Sequence, residues 1–263
     1  MCKTIQSDLT VVGGGIAGMV AALTAARHGL RVSLVEWRDV LGGNNSSEYR
    51  VHLNGAANAN AAFYARESGI VDEIKLSVFH HNPRYNFKDD YDLTDMAFLS
   101  LIRAEENITL FLGTAAYAVE KDGERITAVY GRKARTEEDY CFVSPLYADA
   151  SGDGIIAERA GAAYRMGREA RSEYQEDLAP EEADACTMGS CILFTVGKAD
   201  RPVPFIKPPF AYDYEKDDIL KFVERPMTGR SLPKKLDGWT ASGGFPSVVW
   251  RIPSGIATRS TLS

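Results

Sequence analysis

The chain has 263 residues, 45% of them hydrophobic and 25% charged, a composition that suits a folded protein of one large domain or two smaller ones. A net charge of −6 excludes the basic face of a phosphate-coating nucleic-acid binder and points to a small-molecule partner. No apolar run approaches the ~18 residues that cross a bilayer, so no membrane association is expected. The first ten residues lack a basic start followed by an apolar stretch, and the four cysteines are too scattered for a disulfide framework. A cytoplasmic protein is the resulting expectation. With four histidines and neither H-x-x-x-H nor C-x-x-C, no metal site is expected.

Leu9, Val11 and Val12 predict a short buried strand that runs straight into VVGGGIAG, residues 11–18. Gly13, Gly15 and Gly18 complete G-x-G-x-x-G, in which the glycines give a tight turn, a close approach to a pyrophosphate, and close packing of helix on strand. The alanine- and leucine-rich IAGMVAALTAARHG that follows predicts a helix ended by Gly29, with Ala22 keeping it slim against the sheet. Its first N–H groups, at Ile16 and Ala17, are the expected phosphate contacts. The next strand, LRVSLVE, ends in Glu36, eighteen residues past the last glycine, where a carboxylate can accept both hydroxyls of an adenosine ribose and would repel a 2′-phosphate. The context therefore points to a dinucleotide other than NADP, with Trp37 beside the ribose carboxylate.

Gly42 and Gly43 form a second glycine pair, followed by Asn44, Asn45, Ser46 and Ser47. By itself the run also reads as an ordinary polar turn. Residues 58–68 predict a helix ended by Gly69, and residues 93–104 a second with Leu93, Met96, Ala97 and Leu101 on one face; His80 and His81 fall in a polar loop. Residues 108–132 read as a β-meander turned at Lys121, Asp122 and Gly123. YADASGDG, residues 147–154, then leads from a strand into a helix, IIAERAG, capped by Asp153.

This ordered set of motifs resembles the FAD-dependent oxidoreductases with a glutathione-reductase-like Rossmann fold. Their glycine pair lies along the pyrophosphate and ribityl chain, their meander crosses between two glycine segments, and a D-A-S/T-G-D-G segment is followed by A-G-A and G-R-E stretches. The likeness spans roughly residues 8 to 200. It implies an α/β, FAD/NAD(P)-binding Rossmann-like domain over residues 1–165, made of a parallel sheet plus a β-meander crossover, with a helical insertion at about 55–105. A second, incomplete α+β substrate region follows at 166–263. FAD is the implied cofactor, held by Gly13, Gly15, Ile16, Ala17, Gly18, Glu36, Trp37, Gly42, Gly43, Asn44, Asn45, Ser46, the backbone at Ala116 on the adenine edge, Ser151, Gly152 and Asp153. An NAD-linked dehydrogenase is the alternative, and a remnant that binds the ADP half without catalysis is a third. Relatives of this type continue to a second G-D segment, so a C-terminally truncated member is expected.

Catalytic residues and substrate are not legible. Arg50 and His52 could face a flavin ring, and they also fit an alternating strand with structural polar residues. Cys186 and Cys191 make C-x4-C, but away from the place where disulfide reductases carry their redox pair, and a core strand, CILFTVG, is expected instead. The charged stretch GREARSEYQEDLAP reads as a solvated face. Oligomeric state has no signature.

Overall fold

The computed structural model describes residues 2–51, 53, 67–81, 91–188 and 209. The chain divides into two units, Met1–Thr187 and Met188–Ser263, and the architecture below is that of the first. It contains β1 (Lys3–Gln6), β2 (Leu9–Val12), α1 (Ile16–Arg27), β3 (Val32–Val35), α2 (Ile70–His81), α3 (Tyr91–Arg103), β4 (Ile108–Phe111), β5 (Thr114–Asp122), β6 (Arg125–Lys133), β7 (Asp139–Val143), β8 (Leu146–Asp149), α4 (Ile155–Arg159) and α5 (Arg171–Tyr174).

Two four-stranded sheets result. One is wholly parallel, in the order β4-β3-β2-β8; the other has the order β1-β7-β6-β5, antiparallel except where β1 runs parallel to β7. The inner strands β2 and β3 are buried on both faces and, Thr10 and Ser33 apart, apolar on both, as strands covered on both sides are. Val11 and Leu34 point toward Met19, Leu23, Phe98 and Ile102 on the helical face, whereas Val12 and Val35 point toward Val129, Tyr140 and Phe142 of the antiparallel sheet. The period-two alternation of a strand thus divides the core in two, giving three layers: helices, parallel sheet, antiparallel sheet. Phe98, Phe142, Met19 and Leu23 are fully buried, and each such side chain contributes about 1.5–3 kcal/mol. Phe111 packs edge-on to Phe142 and Tyr140, at centroid distances of 4.9 and 5.2 Å.

Helix α1 forms as its alanine-rich sequence predicts and closes in a Schellman turn, with Gly29 N–H donating to Ala26 and Leu30 N–H to Ala25. Its last side chain, Arg27, pairs with Glu73 of α2 and with Glu105 beyond α3, tying the three helices at the surface.

Several expectations are corrected. ITLF is β4 of the parallel sheet rather than the first strand of the meander, because it pairs with β3 from Val32↔Ile108 to Val35↔Phe111. The meander proper is β5-β6-β7, and β5 continues through Asp122 before turning at Gly123. Lys3–Gln6, for which no element is expected from the sequence, is a strand that borrows its order from β7. His80 and His81 belong to α2, not a loop, and His80 is exposed. Gly69 opens that helix, Glu73 N–H donating to its carbonyl; residues 58–66 of the expected preceding helix lie outside the described residues. On α3 the buried face is Ala97, Phe98 and Ile102, and Met96 is exposed: Phe98, not Met96, reaches the sheet. Cys186 is exposed rather than in a core strand; Cys191 lies outside the described residues, as do the strands expected at CILFTVG and SVVWRI.

Candidate functional site

The carboxyl ends of β3, β2 and β8 lie side by side, so the segments that leave them converge at one edge of the parallel sheet. From β2 the chain enters Gly13, whose φ of 105° only glycine adopts without strain, and where a Cβ would sit 2.1 Å from the Ala150 carbonyl oxygen. A Cβ on Gly14 would meet Leu41 at 2.6 Å, and one on Gly18 would lie 1.8 Å from the Gly13 carbonyl oxygen. Gly15 is different: among the described residues no atom beyond its chain neighbours lies within 4 Å of its absent Cβ. Three glycines are demanded by protein packing, and the fourth leaves open space.

That space adjoins the N-terminus of α1. Gly15 is the N-cap, no side chain among the described residues caps the helix there, and its first turn carries no acid. Ile16 and Ala17 therefore offer backbone N–H groups and the positive end of a helix dipole, an arrangement that binds anionic oxygens.

Glu36, at the end of β3, is 4% exposed. One carboxylate oxygen accepts the Gly14 N–H and the other the Arg38 N–H, the latter at 2.9 Å. Each oxygen retains a lone pair for a further donor. The start of β5 is fastened beside it, because Thr114 N–H donates to the Glu36 carbonyl and Gly113 N–H to that of Arg38. Ala116 follows on β5, opposite Gly131 and next to a bulge. Trp37 is exposed, and the Arg38 guanidinium lies between its ring, 4.6 Å away, and that of Tyr49, 4.4 Å away. Arg38 also pairs with Glu48, so this one residue links the Glu36 carboxylate to the turn that follows.

Gly42 and Gly43 pack directly on the glycine loop. Gly42 N–H donates to the Gly14 carbonyl at 2.8 Å, Gly15 and Gly42 form a parallel bridge, and a Cβ on Gly43 would lie 3.3 Å from the Gly15 Cα. Gly42 also has a φ of 106° and abuts the Phe98 ring, so α3 and the glycine loop hold this turn from opposite sides. Residues Gly43–Asn45 make a single 3-10 turn. Asn44 is exposed, while the Asn45 amide donates to the Val51 carbonyl. Ser46 is fully buried and donates its hydroxyl to the Gly43 carbonyl, which leaves that hydroxyl as part of the turn. Arg50 is exposed and donates to the Ser47 carbonyl; His52 lies outside the described residues.

The third wall comes from β8. Ala150 N–H donates to the Val12 carbonyl at 2.7 Å, bringing Ala150 and Ser151 against Gly13. Here the expected cap is corrected: α4 is not capped by Asp153, which is exposed, but by Asp149 and Ser151. Asp149 accepts the N–H groups of Ile156 and Ala157 at 2.8 and 2.9 Å, and the Ser151 hydroxyl accepts that of Ile155 at 3.0 Å. Burial pushes the Asp149 carboxyl up, and its bonds from Ser151, Ala157 and Ile156 outweigh that, holding it below the ordinary aspartate range. The signal for this was present as Asp-x-Ser before an apolar run, an acceptor pair ahead of a helix. Gly14 and Arg38 carried no such signal, because their roles depend on packing against distant residues.

Among the described residues no group of three or more His, Cys, Asp or Glu could hold a metal, and no helix is long and apolar enough to cross a membrane.

The family model of the FAD dependent oxidoreductases matches residues 8–245. The chain is 32% identical over 100 residues to a UDP-galactopyranose mutase of Mycoplasma genitalium, covering 35% of this chain and 25% of that one. To a glycerol-3-phosphate dehydrogenase of Mycobacterium leprae it is 44% identical over 52 residues, 20% of this chain and 9% of the relative. A solved glycerol-3-phosphate dehydrogenase from Bacillus halodurans, complexed with FAD, superposes with a TM-score of 0.42 at 18% identity, covering 59% of this chain and 36% of the other. The chain thus spans a quarter or less of these two curated relatives.

Proposed function

This chain belongs to the FAD dependent oxidoreductase family, whose cofactor is FAD, and from that premise we propose that the loops at the edge of its parallel sheet hold FAD for hydride exchange with a small-molecule substrate. One observation carries the reading: among the described residues, of the four glycines from 13 to 18 only Gly15 has an open Cβ position, and that opening lies at the N-terminus of α1, where no described side chain caps the helix. A Cβ there would fill the space that a pyrophosphate approaching the backbone needs.

The Ile16 and Ala17 N–H groups then bind phosphate oxygens, Glu36 accepts the two ribose hydroxyls through its remaining lone pairs, and the β5 backbone near Ala116 borders the adenine. Gly42 and Gly43, which pack on Gly14 and Gly15, would hold the pyrophosphate together with Asn44, Asn45 and Ser151 to Asp153. The bound flavin supplies the hydride chemistry; the protein supplies binding and orientation.

Titration of the purified protein with FAD, followed by flavin fluorescence, tests this. Glu36→Ala removes a charged acceptor, each bond to which is worth about 1.5–3 kcal/mol, so the FAD Kd should rise at least about tenfold while circular dichroism shows a folded protein. An unchanged Kd in a folded Glu36→Ala protein would overturn the assignment of the ribose to this carboxylate.

A further inference from the structure

We propose that Asp149 is a positioning residue for the dinucleotide: from beneath the site, its carboxylate holds the loop that braces the glycine turn, without touching the ligand. The inference rests on the reading of the site given above.

Asp149 is the register partner of Val12, so it ends β8 level with the residue that precedes Gly13. The next residue, Ala150, is the wall for two of the three motif glycines. Its carbonyl oxygen would lie 2.1 Å from a Cβ on Gly13, and its own Cβ 3.2 Å from one on Gly18. Any shift of Ala150 is therefore transmitted to the turn that shapes the phosphate site.

Ala150 itself donates its N–H to the Val12 carbonyl, and the residue that follows it is tied to the start of α4 by one carboxylate, that of Asp149. Oδ1 accepts the Ser151 N–H at 3.0 Å and the Ser151 hydroxyl at 2.7 Å; Oδ2 accepts the N–H groups of Ile156 and Ala157. The strand end and the helix start are thus bound to one side chain, with the loop between them folded back. An ionised carboxylate offers about four lone-pair sites, and all four are used. Asp149 has no acceptor capacity left for a ribityl hydroxyl or a substrate, which makes it a positioning residue and not a catalytic one. Its negative charge, close to a site meant for phosphates, is matched by four converging donors. An asparagine has one acceptor oxygen and keeps only part of the set: it can hold Ile156 and Ala157 and donate to the Ser151 hydroxyl, while the Ser151 N–H loses its partner.

Three proteins test the proposal: the wild type, Asp149→Asn and Asp149→Ala. Each is measured for FAD affinity by fluorescence titration and for hydrogen exchange of the Ser151, Ile155, Ile156 and Ala157 amides without ligand, Ser151 being the amide that Asp149→Asn releases and Ile156 and Ala157 those that only Asp149→Ala releases. The expected result is a graded series. Amide protection falls from wild type to Asn to Ala, and the FAD Kd rises in the same order, about threefold to thirtyfold for Ala, the equivalent of losing a helix cap. If Asp149→Ala does not yield folded protein, the Asn variant carries the test, with reduced protection and a raised Kd expected together. Unchanged FAD affinity in a variant whose amides have lost protection overturns the inference, as does wild-type protection of all four amides in a folded Asp149→Ala protein. A wild-type protein without FAD affinity would instead overturn the reading of the whole site, and the inference with it.

Discussion

Loop 13–15 leaves β2 and enters α1; loop 150–154 leaves the neighbouring strand β8 and enters α4. Both are rich in glycine, both lie at the carboxyl edge of one parallel sheet, and both turn the chain into a helix. At the helix starts they differ. Among the described residues α1 begins with no side-chain cap, and it has no acid in its first turn, whereas the first three N–H groups of α4 are taken by Ser151 and Asp149. The residues responsible are register partners: Val12 at one strand end, Asp149 at the other. A valine turns into the core and leaves the next helix open to an anion; an aspartate turns back and closes it. Strand-loop-helix geometry alone therefore does not make a phosphate site, and the side chain at the strand end decides which helix dipole remains available.

The sharpest way to break this contrast is to close α1 as α4 is closed. Ala17→Asp puts a carboxylate into the exposed first turn of α1, where the dipole favours it, so the thermal midpoint should hold or rise. FAD binding should be lost: two like charges about 4 Å apart repel by about 4 kcal/mol at an effective dielectric near 20, on the order of a thousandfold in Kd. Calorimetric titration alongside a thermal melt would show both. FAD affinity retained by Ala17→Asp would mean that the phosphates sit elsewhere.

A second test separates glycines that pack from the one that yields space. Gly18→Ala forces a Cβ to within 1.8 Å of the Gly13 carbonyl oxygen, and overpacking there should cost about 3 kcal/mol of stability. Gly15→Ala meets nothing within 4 Å and has an ordinary φ of −66°, so its stability should stay within about 0.5 kcal/mol of wild type while FAD affinity falls. Equal destabilisation of the two variants in urea melts would erase the distinction on which the site rests.

The smallest effect concerns pH. The Asp149 carboxyl is held below the usual 3.8, so the folded state binds its proton less readily than the unfolded chain. Its stabilising contribution is fully present above the unfolded value and is lost as pH falls through the folded one. The difference in thermal midpoint between wild type and Asp149→Asn should be constant from neutral pH to about pH 4 and shrink below it. A difference that already shrinks between pH 7 and 5 would show that the carboxylate is not held by these donors.

Legibility followed the range of the interactions. Strand, glycine turn, helix and strand-end carboxylate from Leu9 to Glu36 were readable because each element is set by neighbours within a few residues. The assignment of Asp153 as the cap failed for a local reason: Asp153 is nearest the helix in sequence, yet the loop folds so that the strand-end Asp149 reaches the free N–H groups. Assigning Ile108–Phe111 to the meander failed for a distant one. Four apolar residues before a turn look alike in either sheet, and only pairing with β3 separates them.

By itself, then, the sequence determined the glycine turn, the α1 helix and the carboxylate that ends β3, since backbone sterics and hydrophobic period act locally. Tertiary structure alone decided which absent Cβ is a packing need and which an opening. It alone also decided that Gly42 and Gly43 rest on Gly14 and Gly15, and that of two adjacent helix starts one is closed and one open. Those outcomes depend on where residues far apart in the chain are brought together: Ala150 against Gly13, Phe98 against Gly42, Glu36 beneath Gly14. Such contacts are set by how the sheet orders its strands, and no short stretch of sequence encodes that order.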